Sequence, residues 1–112
     1  MDKIFLLARL YDCYGALLTP HQRQIVAQYV DENCSLAEIA ERENITRQAV
    51  RDSLRRAEEQ MKVYETALGL ADKTLRQRQL GEKLLQKSVG LSADLAADIQ
   101  EMISIWEDDN GV

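Results

Sequence analysis

The feature that most constrains the fold of this chain is a regular spacing of apolar residues through its middle. From Val50 to Leu75 they recur at alternating intervals of four and three. This is the heptad pattern of a helix that buries one stripe of its surface. It predicts one continuous helix that runs through Gly69, where the glycine costs about 1 kcal/mol. The residues of this heptad stripe are Val50, Leu54, Ala57, Met61, Tyr64, Leu68, Ala71 and Leu75.

A helical stripe of this length needs a surface to cover it, since it spans about 38 Å at 1.5 Å per residue. A second copy of the chain could pair along it, or the C-terminal helix could fold back over it in a monomer. The length of the stripe favours a homodimer. The predicted dimerisation residues are Leu54, Met61, Tyr64, Leu68 and Leu75.

The composition of the chain indicates an all-α fold. Its 112 residues include one proline and five glycines, and no alternating run of β-branched residues occurs. We expect a helix-turn-helix N-terminal bundle, a long heptad-patterned helix and a C-terminal amphipathic helix. In domain terms, residues 1–60 form the helix-turn-helix domain and residues 61–112 form the extension, together as one structural unit.

Residues 35–56 carry the signals of two short helices joined by a tight turn. Ser35 and Glu38 are spaced as a capping box at the start of the first helix. Asn44 tolerates the left-handed conformation that can end this helix, and Thr46 is suited to cap the next one. The pattern is typical of a helix-turn-helix, although two capped helices also occur in ordinary helical bundles.

Basic and amide side chains follow Thr46 directly, where a recognition helix presents residues to a nucleic-acid groove. Residues 47–62 carry a net charge of +2, whereas the whole chain carries −5 and the stretch from Val89 carries six acids and no base. A charge of +2 is small for nucleic-acid binding, which uses several phosphate contacts. Asp52 also interrupts the basic residues. The predicted nucleic-acid-binding residues are Arg47, Gln48, Arg51, Arg55 and Arg56.

The segments on either side of the motif are also predicted to be helical. A first helix over about Lys3–Tyr14 should turn its apolar residues inward, and Thr19-Pro20 should begin a second helix that ends near Asp31. A last helix should begin after Ser92 and pack back on the long helix, although it could instead dock a partner. The predicted inward residues are Ile4, Phe5, Leu7, Ala8 and Tyr11 in the first helix, Ile25, Val26, Tyr29 and Val30 in the second, and Leu95, Ile99, Met102, Ile103 and Trp106 in the last.

No residue pattern points to catalysis, a cofactor or a metal. His21 is the sole histidine, and Cys13 and Cys34 lack metal-ligand spacing and are expected to be reduced thiols. No glycine-rich phosphate loop occurs. The chain shows neither a signal peptide nor a membrane span, so we expect a cytoplasmic protein without membrane contact.

The stretch Leu17–Glu65 resembles the YlxM family of small bacterial helix-turn-helix proteins. The matching pieces are Leu-Leu-Thr followed by Gln-Arg, then Ser-Leu-x-Glu-Ile-Ala and Arg-Gln-Ala-Val. The similarity extends over the heptad helix, and its core is also similar to region 4 of sigma factors. Glu43 stands where such proteins usually carry an aromatic residue, and it could simply be exposed at a helix end.

The resemblance implies an all-helical protein, encoded beside the GTPase of the signal recognition particle and accessory to that pathway. By this resemblance, Arg47, Gln48, Arg51 and Arg55 face nucleic acid, either DNA or the particle's RNA. The alternatives are an adaptor that docks on the particle's GTPase without binding nucleic acid, and a DNA-binding transcription regulator.

Overall fold

The computed structural model describes the backbone of residues 3–110 and the side chains of residues 3–105. Within this part of the chain all regular structure is helical, so the all-α prediction is confirmed. The chain divides into two compact units, Met1–Leu68 and Gly69–Val112, a boundary further along the chain than the predicted one after residue 60. The helices are α1 (Lys3–Tyr14), a short 3-10 helix (Gly15–Leu17), α2 (Pro20–Val30), α3 (Leu36–Glu43), α4 (Arg47–Leu68), α5 (Leu70–Lys87) and α6 (Ala93–Asn110).

Side-chain caps define the starts of the helices around the turn motif. The Ser35 hydroxyl accepts from the Glu38 backbone N–H at 3.1 Å, and the Glu38 carboxylate accepts from the Ser35 N–H at 3.0 Å. These hydrogen bonds hold the pKa of Glu38 below its ordinary value. The Thr46 hydroxyl accepts from the Ala49 N–H at 3.0 Å, and Asn44 adopts the left-handed conformation with φ 56°. The predicted capping box, turn residue and cap are therefore confirmed.

The core of the N-terminal unit forms around α4, against which α1, α2 and α3 all pack. Val50, Ala57 and Met61 of α4 have no exposed surface. Ile25 of α2 and Ile39 of α3, two of the helices that pack on α4, are equally buried. The first half of the heptad stripe is therefore covered by the N-terminal helices of the same chain.

The second half of α4 is tied to the end of α1. The Tyr14 ring lies against the Tyr64 ring with centroids 5.9 Å apart. The Tyr14 hydroxyl also donates a hydrogen bond to the Glu65 carboxylate at 2.5 Å. Tyr14 is almost fully buried, so α1 covers α4 as far as its last turns.

The prediction of one continuous helix through Gly69 is wrong. Gly69 adopts a left-handed conformation with φ 66°, which ends α4 at Leu68 and starts α5 at Leu70. Glycine adopts this conformation without the steric cost that a β-carbon imposes. The regular apolar spacing is therefore divided between two helices, and the heptad stripe is not one face of a single helix.

The inward face predicted for α1 is also rotated from the observed one. Of the predicted residues, Leu7 is buried but Phe5 is 64 % exposed, and the other buried residues, Leu10 and Tyr14, lie outside the predicted set. The contacts of Tyr14 with α4 fix the rotation of α1, and those contacts join residues far apart in sequence. In α2 the predicted Ile25 and Val26 are buried, but Tyr29 and Val30 are only half-buried and Gln28 is buried beside them.

The C-terminal unit is a hairpin of α5 and α6. The Ser92 hydroxyl accepts from the backbone N–H groups of Asp94 and Leu95, which confirms the predicted cap. Gly81 of α5 lies directly against Ile103 of α6, since a β-carbon at Gly81 would be 2.6 Å from Ile103 Cγ1. The C-terminal helix thus packs back on the helix before it, as predicted, but Leu95 and Met102, predicted to face inward, are exposed. The Trp106 side chain lies outside the described residues.

No helix within the described residues has both the length and the apolar character needed to cross a membrane.

Replacing Asn44 tests the turn between α3 and α4. Asn44→Ala should lower the free energy of unfolding by about 1 kcal/mol, because alanine lacks the local hydrogen bonding that lets asparagine occupy this conformation. Asn44→Gly should cost less than Asn44→Ala, because glycine adopts a positive φ freely. Urea unfolding followed by circular dichroism measures both. Equal destabilisation by alanine and glycine would contradict the turn geometry.

Candidate nucleic-acid interface

The exposed side of α4 carries the basic residues predicted to bind nucleic acid. Residues buried in the core, from Val50 to Met61, fix the rotation of this helix. The opposite side is consequently turned to solvent. The exposed side chains that we call the arginine face are Arg47, Gln48, Arg51 and Arg55.

Three side chains of the arginine face, Gln48, Arg51 and Arg55, take part in contacts with one another or with two acids. Gln48 donates to Asp52 at 3.1 Å, and Arg51 donates to Gln48 at 3.4 Å. Arg55 lies 3.9 Å from Asp52 and 3.4 Å from Glu59. Exposed pairs of this kind contribute about 0–1 kcal/mol each. They can therefore be exchanged for contacts with a phosphate or a base without a large loss of stability.

Arg56, the fifth predicted residue, is also exposed on α4. It lies about 100° around the helix axis from Arg55 and about 80° from Gln48. The structure therefore exposes all five predicted residues on α4, with Arg56 at the edge of the arginine face.

Glu43, the residue that departs from the usual apolar pattern, is neither exposed nor unpartnered. Its side chain is 11 % exposed. The side-chain amides of Gln24 and Gln28 donate to the same carboxylate oxygen at 2.8 and 3.0 Å. The other oxygen lies 3.7 Å from His21 Nε2. Glu43 thus joins the end of α3 to one side of α2.

This polar link is not among the features predicted from the sequence. Its signal is the spacing of His21, Gln24 and Gln28, which puts three polar side chains on one side of a helix. Gln28 is buried, and its oxygen Oε1 has no hydrogen-bond partner among the described residues. The pair of helices that precedes α4 is therefore held partly by a carboxylate in the place of apolar packing.

Arg42 does not belong to the arginine face, because its guanidinium is engaged elsewhere. It donates to the Glu32 carboxylate at 3.3 Å and to the Cys34 sulfur at 3.3 Å. Cys13 and Cys34 are not joined by a disulfide. No group of three potential metal-ligating side chains lies together in the described part of the chain.

The predicted dimerisation residues are divided by the fold. Leu54 and Met61 lie in the interior of the N-terminal unit, and Tyr64 is half-buried beside Tyr14. Since these side chains are covered within one chain, they offer little surface to a second copy. Leu68 and Leu75 keep 49 and 36 % of their surface exposed.

Comparison with known proteins places the chain among helix-turn-helix proteins. A family model described as "Putative helix-turn-helix protein, YlxM / p13 like" (UPF0122) matches residues 1–102. A UPF0122 protein of Geobacillus kaustophilus is 43 % identical over 105 residues, covering 91 % of this chain and 96 % of the relative. A UPF0122 protein of Acetivibrio thermocellus is 40 % identical over 109 residues, covering 96 % of this chain and 93 % of the relative. A UPF0122 protein of Symbiobacterium thermophilum is 41 % identical over 98 residues, covering 87 % of this chain and 89 % of the relative.

Replacing Glu43 tests the polar link between α2 and α3. Glu43→Leu should lower the free energy of unfolding by about 1–3 kcal/mol, because the Gln24 and Gln28 amides lose their acceptor. The double variant Glu43→Leu/Gln28→Leu should recover part of this loss, since apolar side chains then meet each other. Chemical denaturation of both variants measures the difference. A double variant less stable than Glu43→Leu alone would contradict this account.

Proposed function

The chain belongs to the YlxM/p13-like helix-turn-helix family, and we propose that it is a regulatory protein that binds nucleic acid through the arginine face of α4. The observation that carries the proposal is the position of that face. It begins at the first residue of α4, directly after the turn from α3, and it points away from the core. This is the side of a helix-turn-helix that enters a groove.

The side chains of the arginine face suit different parts of a nucleic acid. Arg47 and Gln48 lie in the first turn of α4, where the base edges of a groove are within reach. Arginine pairs with guanine, and glutamine pairs with adenine, through two hydrogen bonds each. Arg51 and Arg55 lie further along and suit phosphate groups. On this proposal the protein acts by binding and not by catalysis.

The ligand that fits the geometry best is a duplex with an open major groove or a widened RNA loop. A regular RNA helix has a deep, narrow major groove that side chains do not read. Of the ligands implied by the family resemblance, DNA therefore fits at any sequence, whereas the RNA of the signal recognition particle fits at an internal loop. A role with either ligand places the protein in the cytoplasm.

A second candidate function is an adaptor that docks on a protein such as the GTPase of the signal recognition particle. The mixture of charges on α4 favours it, because Asp52 and Glu59 lie among the arginines. Acids at this position repel phosphates but can pair with basic residues of a protein. Replacement of Arg51 and Arg55, or of Asp52, distinguishes these functions.

Removing Arg51 and Arg55 tests the phosphate contacts. Arg51→Ala/Arg55→Ala should weaken binding to DNA and reduce the slope of log affinity against log salt by about 0.9 for each phosphate that is no longer neutralised. Fluorescence anisotropy with labelled DNA, and with particle RNA, measures both quantities. Arg76→Ala on α5 is the control, since it also removes an exposed arginine. If the wild-type chain binds neither DNA nor the particle RNA at low ionic strength, the proposal is contradicted.

Neutralising Asp52 should have the opposite effect. Asp52→Asn should strengthen nucleic-acid binding severalfold, because the variant removes a carboxylate that repels phosphate and pairs with Gln48 and Arg55. Glu101→Gln on α6 makes the same change of charge in the C-terminal unit and should have no effect beyond the change in net charge. An unchanged affinity of Asp52→Asn for nucleic acid, with weaker binding to the GTPase, would favour the adaptor.

A further inference from the structure

The hairpin of α5 and α6 has little interior of its own. Among its described side chains, Ile99 and Ala71 are the apolar ones that are buried. Leu80, Leu84, Leu95 and Met102 keep between 37 and 59 % of their surface exposed. A unit of this size rarely forms a sufficient core alone, and oligomerisation is a common remedy.

The four exposed side chains lie on one face of the hairpin. Gly81 packs against Ile103, and at about 100° per residue Leu80 and Leu84 lie on one flank of the α5 stripe that contacts α6. Leu95 and Met102 lie on the corresponding flank of the α6 stripe around Ile99. Because the two helices of a hairpin run in opposite directions, these two flanks point to the same side. Together they form an apolar hairpin face made of Leu80, Leu84, Leu95 and Met102.

The charges of the two helices are opposite. Residues 70–87 of α5 carry five basic and two acidic side chains, and residues 93–110 of α6 carry six acidic side chains and no basic one. We propose that the hairpin face binds a second copy of the same chain, so that two hairpins form an antiparallel four-helix bundle. A two-fold axis parallel to the helices places α5 of each chain over the α6 of its partner. A two-fold axis perpendicular to the helices would instead stack α6 on α6. The acidic side chains of the two α6 helices would then repel each other.

This arrangement identifies one pair of charges across the interface. Gly81 is level with Ile103, so Lys87, six residues after Gly81, is level with residues 97–98 on the antiparallel α6. Lys87 and Asp98 also lie at the outer edges of the hairpin face on their respective helices. The two-fold axis then brings Lys87 of one chain beside Asp98 of the other, twice in each dimer. Pairs at the edges of helical interfaces specify partner and orientation.

Sedimentation velocity of the full chain over the micromolar range tests the proposed dimer. The wild-type chain should sediment as a dimer, and Leu84→Glu/Met102→Glu should sediment as a monomer. Val63→Glu is the control, because Val63 is 65 % exposed but lies on α4. It should remain dimeric. A monomeric wild-type chain, or a dimer that survives Leu84→Glu/Met102→Glu, would overturn the proposal.

Exchanging the charges tests the orientation and separates it from loss of folding. Lys87→Glu and Asp98→Lys should each weaken dimerisation by roughly tenfold, because each change places like charges together twice. The double variant Lys87→Glu/Asp98→Lys should restore the dimer, which a merely unfolded hairpin would not do. A double variant as weak as the single ones would overturn the orientation. None of these substitutions is in the arginine face. Loss of the dimer and loss of nucleic-acid binding can therefore be observed separately.

Discussion

The burial of the first half of the heptad stripe is the constraint on which the N-terminal unit depends. Three helices pack on α4, and Val50, Ala57 and Met61 lose all their exposed surface there. Burial of one large apolar side chain contributes about 1.5–3 kcal/mol, so the stripe holds α4 in a single rotation. That rotation decides which residues of α4 are exposed. The arginine face thus follows from the core and needs no contacts of its own to be displayed.

The parts of the fold that could be predicted from sequence are those whose determinants lie close together along the chain. Ser35 and Glu38 satisfy each other within one helical turn, and Asn44 needs only its own backbone conformation. The rotation of α1 depended on the contacts of Tyr14 with residues of α4, which no local pattern contains. At Gly69 the local cost of a helical glycine is small, and the regular apolar spacing favours a continuous helix. The spacing was shared by two helices, and the glycine adopted the left-handed conformation between them.

In the candidate site, too, the residues that could be predicted are those whose determinants are local in sequence. The exposed residues of α4 could be predicted because they lie opposite an apolar stripe in the same helix. Glu43 could not, because its hydrogen-bond donors Gln24 and Gln28 lie on another helix, 19 and 15 residues earlier. A carboxylate inside a helix-turn-helix is costly to bury unless donors surround it. Those donors explain how this chain accommodates an acid at this position.

The proposed dimer would raise the affinity for nucleic acid, which a single arginine face provides only weakly. One face offers three arginines and a glutamine, with Asp52 and Glu59 among them. This is a small set of contacts for a specific complex, because affinity for nucleic acid grows with the number of phosphates neutralised. Two chains joined through α5 and α6 carry two such faces. After one face has bound, the second meets the same ligand at a raised effective concentration, which increases affinity without any new contact. A chain with few basic residues can therefore gain affinity from pairing, and a second copy supplies what a larger basic surface supplies in other proteins.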